Sequence, residues 1–315
     1  MKKERKKQKS VESWKILEGS TCYFKSAAHV EVKRGRKHRY LRGMTGKEEE
    51  RMKIGFIGLG NMACAMIGGM LEQGIVPAGE ICGSAKTQKT RDAVHERFGI
   101  DVKASNAAVA EEAQTLILAV KPQFLAGVIA EIKDAVQPDT LVISIAAGKT
   151  LAWLEEAFGR RMKMVRCMPN TPALVGEGCT GICVNGAVSQ EEMRYSLRLM
   201  ESFGKANLVE ERLMDAVGAV SGSSPAYVFL FIEAMADAGV AAGMPRAQAY
   251  EFAAQAVYGS AKLVLETGKH PGELKDMVCS PGGTTIEGVR VLEESGFRGA
   301  VMDALLATVE KSKKL

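Results

Sequence analysis

Short apolar runs alternate with amphipathic stretches through most of the chain, and helical periods fill its last third. Lys53-Ile54-Gly55-Phe56-Ile57 predicts a strand, and Met66, Ile67, Met70 and Leu71 give the next stretch a helical period. Four more strands are predicted at Glu80–Ser84, Thr115–Val120, Leu141–Ile145 and Met162–Arg166. The continuous apolar runs among them suit parallel strands covered on both faces. From Ala226 to Gly243, apolar residues occupy most faces of a predicted helix whose charges are Glu233 and Asp237. Such a helix must be buried in a core or between subunits. Pro225 suits its first turn and Gly243 its end, and small residues from Ala247 to Ala261 allow close helix packing. A domain of roughly 100 residues rarely sustains so many apolar helical faces alone, so this part is expected to dimerise.

Between the first strand and the first helix stands Gly58-Leu59-Gly60-Asn61-Met62-Ala63. In a G-x-G-x-x-A turn the first glycine allows the tight bend, the second admits a pyrophosphate to the backbone, and the alanine packs helix on strand. The pattern as a whole is α/β: an amino-terminal Rossmann doubly wound sheet followed by an all-α dimerisation domain. The expected division is a basic leader over 1–51, a cofactor domain over 52–211 and a helical domain over 212–315. A site preferring NADH usually carries an acidic residue at the end of the second strand. Here Ser84 stands instead, with Lys86, Lys89 and Arg91 behind it. A hydroxyl and cations suit a 2′-phosphate, which favours NADPH and leaves NADH open. Lys89 and Arg91 are equally readable as the solvated start of a helix.

Near the carboxyl end, Ser280-Pro281-Gly282-Gly283-Thr284-Thr285 leads into an amphipathic stretch from Ile286. Proline and paired glycines stop one helix and turn the backbone into the next. Backbone N–H groups at a helix start favour an anion, and three hydroxyls stand beside them. The loop reads as a cradle for a small carboxylate or as a plain helix–loop–helix turn. Thr285 in the second reading is a helix N-cap.

These segments, with Arg166-Cys167-Met168-Pro169-Asn170-Thr171-Pro172 and Ser221-Gly222-Ser223-Ser224-Pro225-Ala226-Tyr227, resemble the pyrroline-5-carboxylate reductase family from Met52 to about Leu306. Leu274 to Thr285 resembles the family signature. The resemblance implies reduction of 1-pyrroline-5-carboxylate to L-proline by hydride transfer to the cyclic imine, the last step of proline biosynthesis. It implies cofactor contacts at Ile57, Gly58, Leu59, Gly60, Asn61, Met62, Asn106, Ala119, Val120, Lys121, Pro122, Ala146, Ala147 and Gly148. It also implies a substrate carboxylate on Ser280, Gly282, Gly283 and Thr284, with the Thr285 hydroxyl reaching the ring nitrogen as the catalytic group. Family members often carry Asn where this chain has Met277. The implied assembly is a homodimer, with a ring of dimers open as the larger form.

Composition narrows the alternatives. The chain has 315 residues, 46% hydrophobic and 25% charged, enough for one large core or two ordinary ones. No apolar run reads as long enough to span a membrane. Seven cysteines and four histidines are scattered without a C-x-x-C, so no metal site is expected and free thiols point to a reducing cytoplasm. Residues 1–51 hold 16 Lys/Arg and 7 Asp/Glu, whereas the remainder holds 26 basic and 30 acidic residues. The net charge of +5 is therefore set by the leader, and the body shows no nucleic-acid footprint. Lys47-Glu48-Glu49-Glu50-Arg51 can be encoded almost wholly by purines, like a bacterial ribosome-binding site, so the functional chain is expected to begin at Met52. A β-hydroxyacid dehydrogenase would use a lysine on its long interdomain helix, and Ser223 to Phe231 contains none. Reduction of another imine and a non-catalytic NADP(H)-binding regulator are the remaining readings; the intact Ser280–Thr285 loop counts against the regulator.

Overall fold

A computed structural model describes residues 53–314; the leader, Met52 and the expected chain start lie outside the described residues. Eight strands form one sheet: β1 (Ile54–Ile57), β2 (Ile81–Ser84), β3 (Asp101–Lys103), β4 (Thr115–Leu118), β5 (Leu141–Ser144), β6 (Lys163–Met168), β7 (Gly178–Val184) and β8 (Gly204–Leu208). Their order is β3-β2-β1-β4-β5-β6-β7-β8. Neighbours run parallel except β6 and β7. Chain direction across the sheet reverses between β1 and β4, the switch point at which such sheets bind ligands.

Helices α1 (Asn61–Glu72), α2 (Gln88–Phe98), α3 (Asn106–Glu112), α4 (Pro122–Ile132), α5 (Leu151–Phe158) and α6 (Gln190–Glu201) cover the two faces. Consecutive strand residues go to opposite cores. Phe56, Ile117, Ile143 and Val165 join Met66, Met70 and Leu199 on one side. Ile57, Leu116, Leu118, Val142 and Met164 join Leu125, Ile129 and Leu154 on the other. This double burial explains the unbroken apolar runs. Two predicted strands end early: Ala119-Val120 and Ile145 already belong to the loops that leave the sheet. The short β3 and the last pair, β7 and β8, were not anticipated.

The chain then becomes helical: α7 (Met214–Val217), a π-helical turn at Gly218–Ser223, α8 (Ser224–Ala241), α9 (Arg246–Thr267), α10 (Pro271–Val278), α11 (Thr284–Glu294) and α12 (Phe297–Ser312). The join to the sheet is ionic. Arg166, buried near the end of β6, donates to Glu211 Oε1 at 3.1 Å and lies 4.0 Å from Asp215. Glu211 Oε1 also accepts the Leu151 N–H at 2.7 Å, and Asp215 accepts the Ser312 hydroxyl at 2.7 Å. A guanidinium so buried requires these partners, because an uncompensated charge there costs several kcal/mol, roughly 3–5.

The helical part has almost no core of its own. Its one buried cluster is Ala236, Ala249 and Ala253, where α8 packs on α9. Phe229, Leu230, Phe252, Leu265, Met302 and Leu306 are exposed on its surface. Contrary to the reading of the sequence, one helical run, Glu211–Ala241, is long and apolar enough by composition to cross a membrane. Its apolar faces belong to the same uncovered surface, so a partner chain accounts for them as well as a bilayer would.

Candidate functional site

Ile57, Ser84, Leu118 and Ser144 are Cα partners in one row across the sheet. The loops that carry most of the expected cofactor residues therefore leave the sheet from a single edge. After β1 the backbone turns at Gly58, with φ +93°, and its N–H donates to the Ser84 carbonyl at 3.0 Å. A Cβ there would lie 2.8 Å from the Ala119 carbonyl oxygen and 2.9 Å from Val120 Cγ1. The protein itself demands glycine at this point.

Gly60 differs. It is the N-cap of α1 in ordinary extended backbone, φ −80° and ψ −173°, and a Cβ would meet nothing within 4 Å. No side chain caps this helix and no acidic residue stands in its first turn. The helix leaves its first N–H groups without a carbonyl of its own, and with the positive end of its dipole they fit a pyrophosphate. Leu59 and Ala63 are buried behind the turn, Met62 is half-buried against the same core, and Asn61 is exposed. Ala119 stays tied to β1 through its N–H to the Ile57 carbonyl, and Lys121 is the N-cap before Pro122 opens α4. Gly148, at φ +73°, ends the turn that Ala146 and Ala147 begin after β5.

Ser84 occupies the end of β2 but does not present its hydroxyl outward. It is 1% exposed and donates to Asn106 Oδ1 at 2.7 Å, while Asn106 Nδ2 donates to Glu131 at 2.8 Å. Two residues expected at the cofactor thus meet at the end of β2, with the hydroxyl engaged by Asn106. Beyond it, Lys86 and Lys89 are exposed, and Arg91 is held by the Ala85 carbonyl and Gln88, both at 2.7 Å.

The carboxyl-terminal loop follows α10. Gly282 has φ +66°, and Gly283 is the N-cap of α11 with no side-chain cap. Thr285 is therefore inside the first turn, and its reading as the N-cap is overturned. Gly283 donates its N–H to the Ser280 carbonyl at 3.0 Å. A Cβ there would lie 2.3 Å from Ser280 Oγ, so a side chain at this position would make that hydroxyl turn away. The first-turn amides of Thr284, Thr285 and Ile286 are the ones an α-helix leaves without a carbonyl. Ser280, Thr284 and Thr285 are exposed, and their hydroxyls have no protein partner among the described residues. Glu287, the acidic residue of this turn, is held below the ordinary carboxylate range by its hydrogen bonds from Arg290. Within one chain the strand-end row and this loop sit on separate parts of the fold. Met277, exposed on the last turn of α10, makes no polar contact.

Fold and site together define a dinucleotide-dependent oxidoreductase whose helical part serves for pairing. The family model described as pyrroline-5-carboxylate reductase dimerisation matches residues 211–315, and that described as NADP oxidoreductase coenzyme F420-dependent matches residues 53–148. The pyrroline-5-carboxylate reductase of Escherichia coli (strain K12) is 54% identical over 263 residues, 84% of this chain and 98% of that protein. That of Arabidopsis thaliana is 41% identical over 266 residues, 84% of this chain and 96% of that protein. The crystal structure of Plasmodium falciparum pyrroline carboxylate reductase with NADP bound superposes with a TM-score of 0.77 at 35% identity, covering 84% of this chain and 98% of that one. The chain belongs to the pyrroline-5-carboxylate reductase family, NAD(P)H-dependent oxidoreductases of the final step of proline biosynthesis. Its uncovered helical faces are those of a homo-oligomer.

Proposed function

We propose that residues 52–211 hold NADPH along the strand-end row while the Ser280–Thr285 loop of the 212–315 domain holds the substrate carboxylate. The observation that carries this reading is the pair of helix starts without a side-chain cap, at Gly60 and at Gly283. Gly58 to Met62 take the pyrophosphate, and Asn106, fixed by Ser84, takes the adenosine side with Lys86 and Arg91 near the 2′-phosphate. Ala119 to Pro122 and Ala146 to Gly148 wall the nicotinamide. Bound NADPH supplies the hydride. The amides of Thr284 and Thr285, with the Ser280 hydroxyl, hold the carboxylate of 1-pyrroline-5-carboxylate. The Thr285 hydroxyl hydrogen-bonds the ring nitrogen, which ends as the secondary amine of L-proline. An imine nitrogen protonates readily, so orientation matters more than a strong acid.

The six free cysteines among the described residues suit a reducing cytoplasm, where this reading places the enzyme. Thr285→Ala tests the site. Because Thr285 is not the cap, melting temperature should stay near wild type. Turnover should fall roughly tenfold or more if a transition-state hydrogen bond of 1–3 kcal/mol is lost. Wild-type turnover in this variant would remove Thr285 from the mechanism.

A further inference from the structure

We propose that Asn170 is a positioning residue of the reductase: its side-chain amide clamps a proline-induced π turn between the two domains and fixes how the helical domain leaves the sheet. The inference rests on the reading above, in which the imine is reduced between the sheet edge and the helical domain. It starts from Pro225. In an α-helix the Ser221 carbonyl would accept from residue 225, which is proline and has no N–H. The proline ring also crowds the carbonyl four residues back, and widening of the preceding turn relieves the clash. The chain widens where this argument puts it, at Gly218–Ser223.

Asn170 answers the carbonyl that Pro225 cannot serve. Its Nδ2 donates to the Ser221 carbonyl at 3.0 Å, and its Oδ1 accepts the Cys179 N–H at 2.8 Å. The residue is only 7% exposed, so both contacts are made away from water. One amide thus joins the loop after β6, the start of β7 and the π turn. Met168 supports the same contact from the other side: a Cβ on Gly218 or Gly222 would lie 3.3 or 2.9 Å from its Cε. The Ser221 and Ser224 hydroxyls donate back to the Val217 and Val220 carbonyls, at 2.9 and 2.6 Å. β6 neighbours β5, which opens into Ala146–Gly148, so the clamp sits on the nicotinamide side of the sheet. A loosened turn changes the angle of α8 and hence the approach of substrate to cofactor. The hydrogen bonds of Asn170 reach Ser221 and Cys179 and not the first turn of α1, although Ala173 in the segment behind it packs on that helix.

The test combines kinetics with amide hydrogen exchange on the full chain. Asn170→Ala, and Asn170→Asp, which keeps the shape but loses the donor, should each lower kcat about tenfold or more, as misorientation does. NADPH affinity should change less than about twofold, since those contacts lie elsewhere. Exchange across residues 218–226 should accelerate. Replacing Pro225 by Ala in the Asn170→Ala background returns an N–H to the Ser221 carbonyl, and should restore both kcat and protection to within about threefold of wild type. The proposal is overturned if Asn170→Ala keeps its kcat despite a lower melting temperature, if the double variant recovers nothing, or if NADPH binding falls in step with kcat. Unchanged exchange in Asn170→Ala refutes the clamp even if the wild-type chain fails to reduce the imine, an outcome that would count against the reaction instead.

Discussion

Gly60→Ala separates a glycine the ligand needs from a glycine the fold needs. The backbone at Gly60 is ordinary for alanine, and the new methyl would meet no protein atom within 4 Å. A compatible Gly→Ala change stabilises by about 0.4–1 kcal/mol through the unfolded chain, and alanine at an N-cap costs roughly 0.5 kcal/mol or more, so the two offset. The melting temperature of the free protein should barely move. In the complex proposed above the methyl would stand where the pyrophosphate approaches the first amides of α1. Losing one hydrogen bond to a charged group costs about 1.5–3 kcal/mol, which is about a 10- to 150-fold rise in Kd. Gly58→Ala is the contrast: with φ +93° and two contacts under 3 Å it should destabilise the free protein by more than about 1 kcal/mol. Calorimetric titration with NADPH, alongside thermal melts of both variants, reads the difference. An unchanged Kd for Gly60→Ala would refute the placement of the pyrophosphate.

Three further outcomes follow from the structure. Glu192 caps α6 through the Ser189 N–H and pairs with Lys163 at 2.9 Å; burial opposes its charge, but these partners still hold its carboxyl below the ordinary range. Glu192→Gln should therefore lower stability by about 0.5 kcal/mol at neutral pH, a loss that disappears as the pH falls through the lowered carboxyl pKa, and equal losses at pH 7 and pH 3 in melting experiments would contradict it. Phe229 and Leu306 are each 63% exposed on the pairing surface, so Phe229→Glu or Leu306→Glu should shift the protein toward monomer in light scattering; an unchanged mass would exclude these faces from the interface. Burial lifts the Cys183 thiol to about 11, with Glu211 adding and Arg166 opposing, so Cys183 should resist alkylation at pH 8 until the protein is unfolded.

The strands legible in the sequence were those buried on both faces, because there most residues are apolar. β7 escaped notice because glycines interrupt it: Gly178 and Gly181 stand where a Cβ would strike the Phe203 carbonyl oxygen at 2.8 Å and Val217 Cγ1 at 2.7 Å. β8, Gly204-Lys205-Ala206-Asn207-Leu208, lies at the sheet edge and carries little apolar signal. The glycine turns were legible because each needs a special backbone or a close approach. Hydrogen-bond commitments were not. That Gly283 spends its amide on Ser280 is a local turn bond, but that Ser84 turns to Asn106 and that Asn170 serves Ser221 depend on contacts between distant segments. The spacing of Pro225 from Ser221 was the one local sign of the last of these.

The most direct test is NADPH oxidation, followed at 340 nm, by purified protein supplied with 1-pyrroline-5-carboxylate, with L-proline identified as product. Oxidation that depends on the cyclic imine and yields proline is the predicted result. Oxidation with a 2-oxo acid and none with the imine would contradict the account.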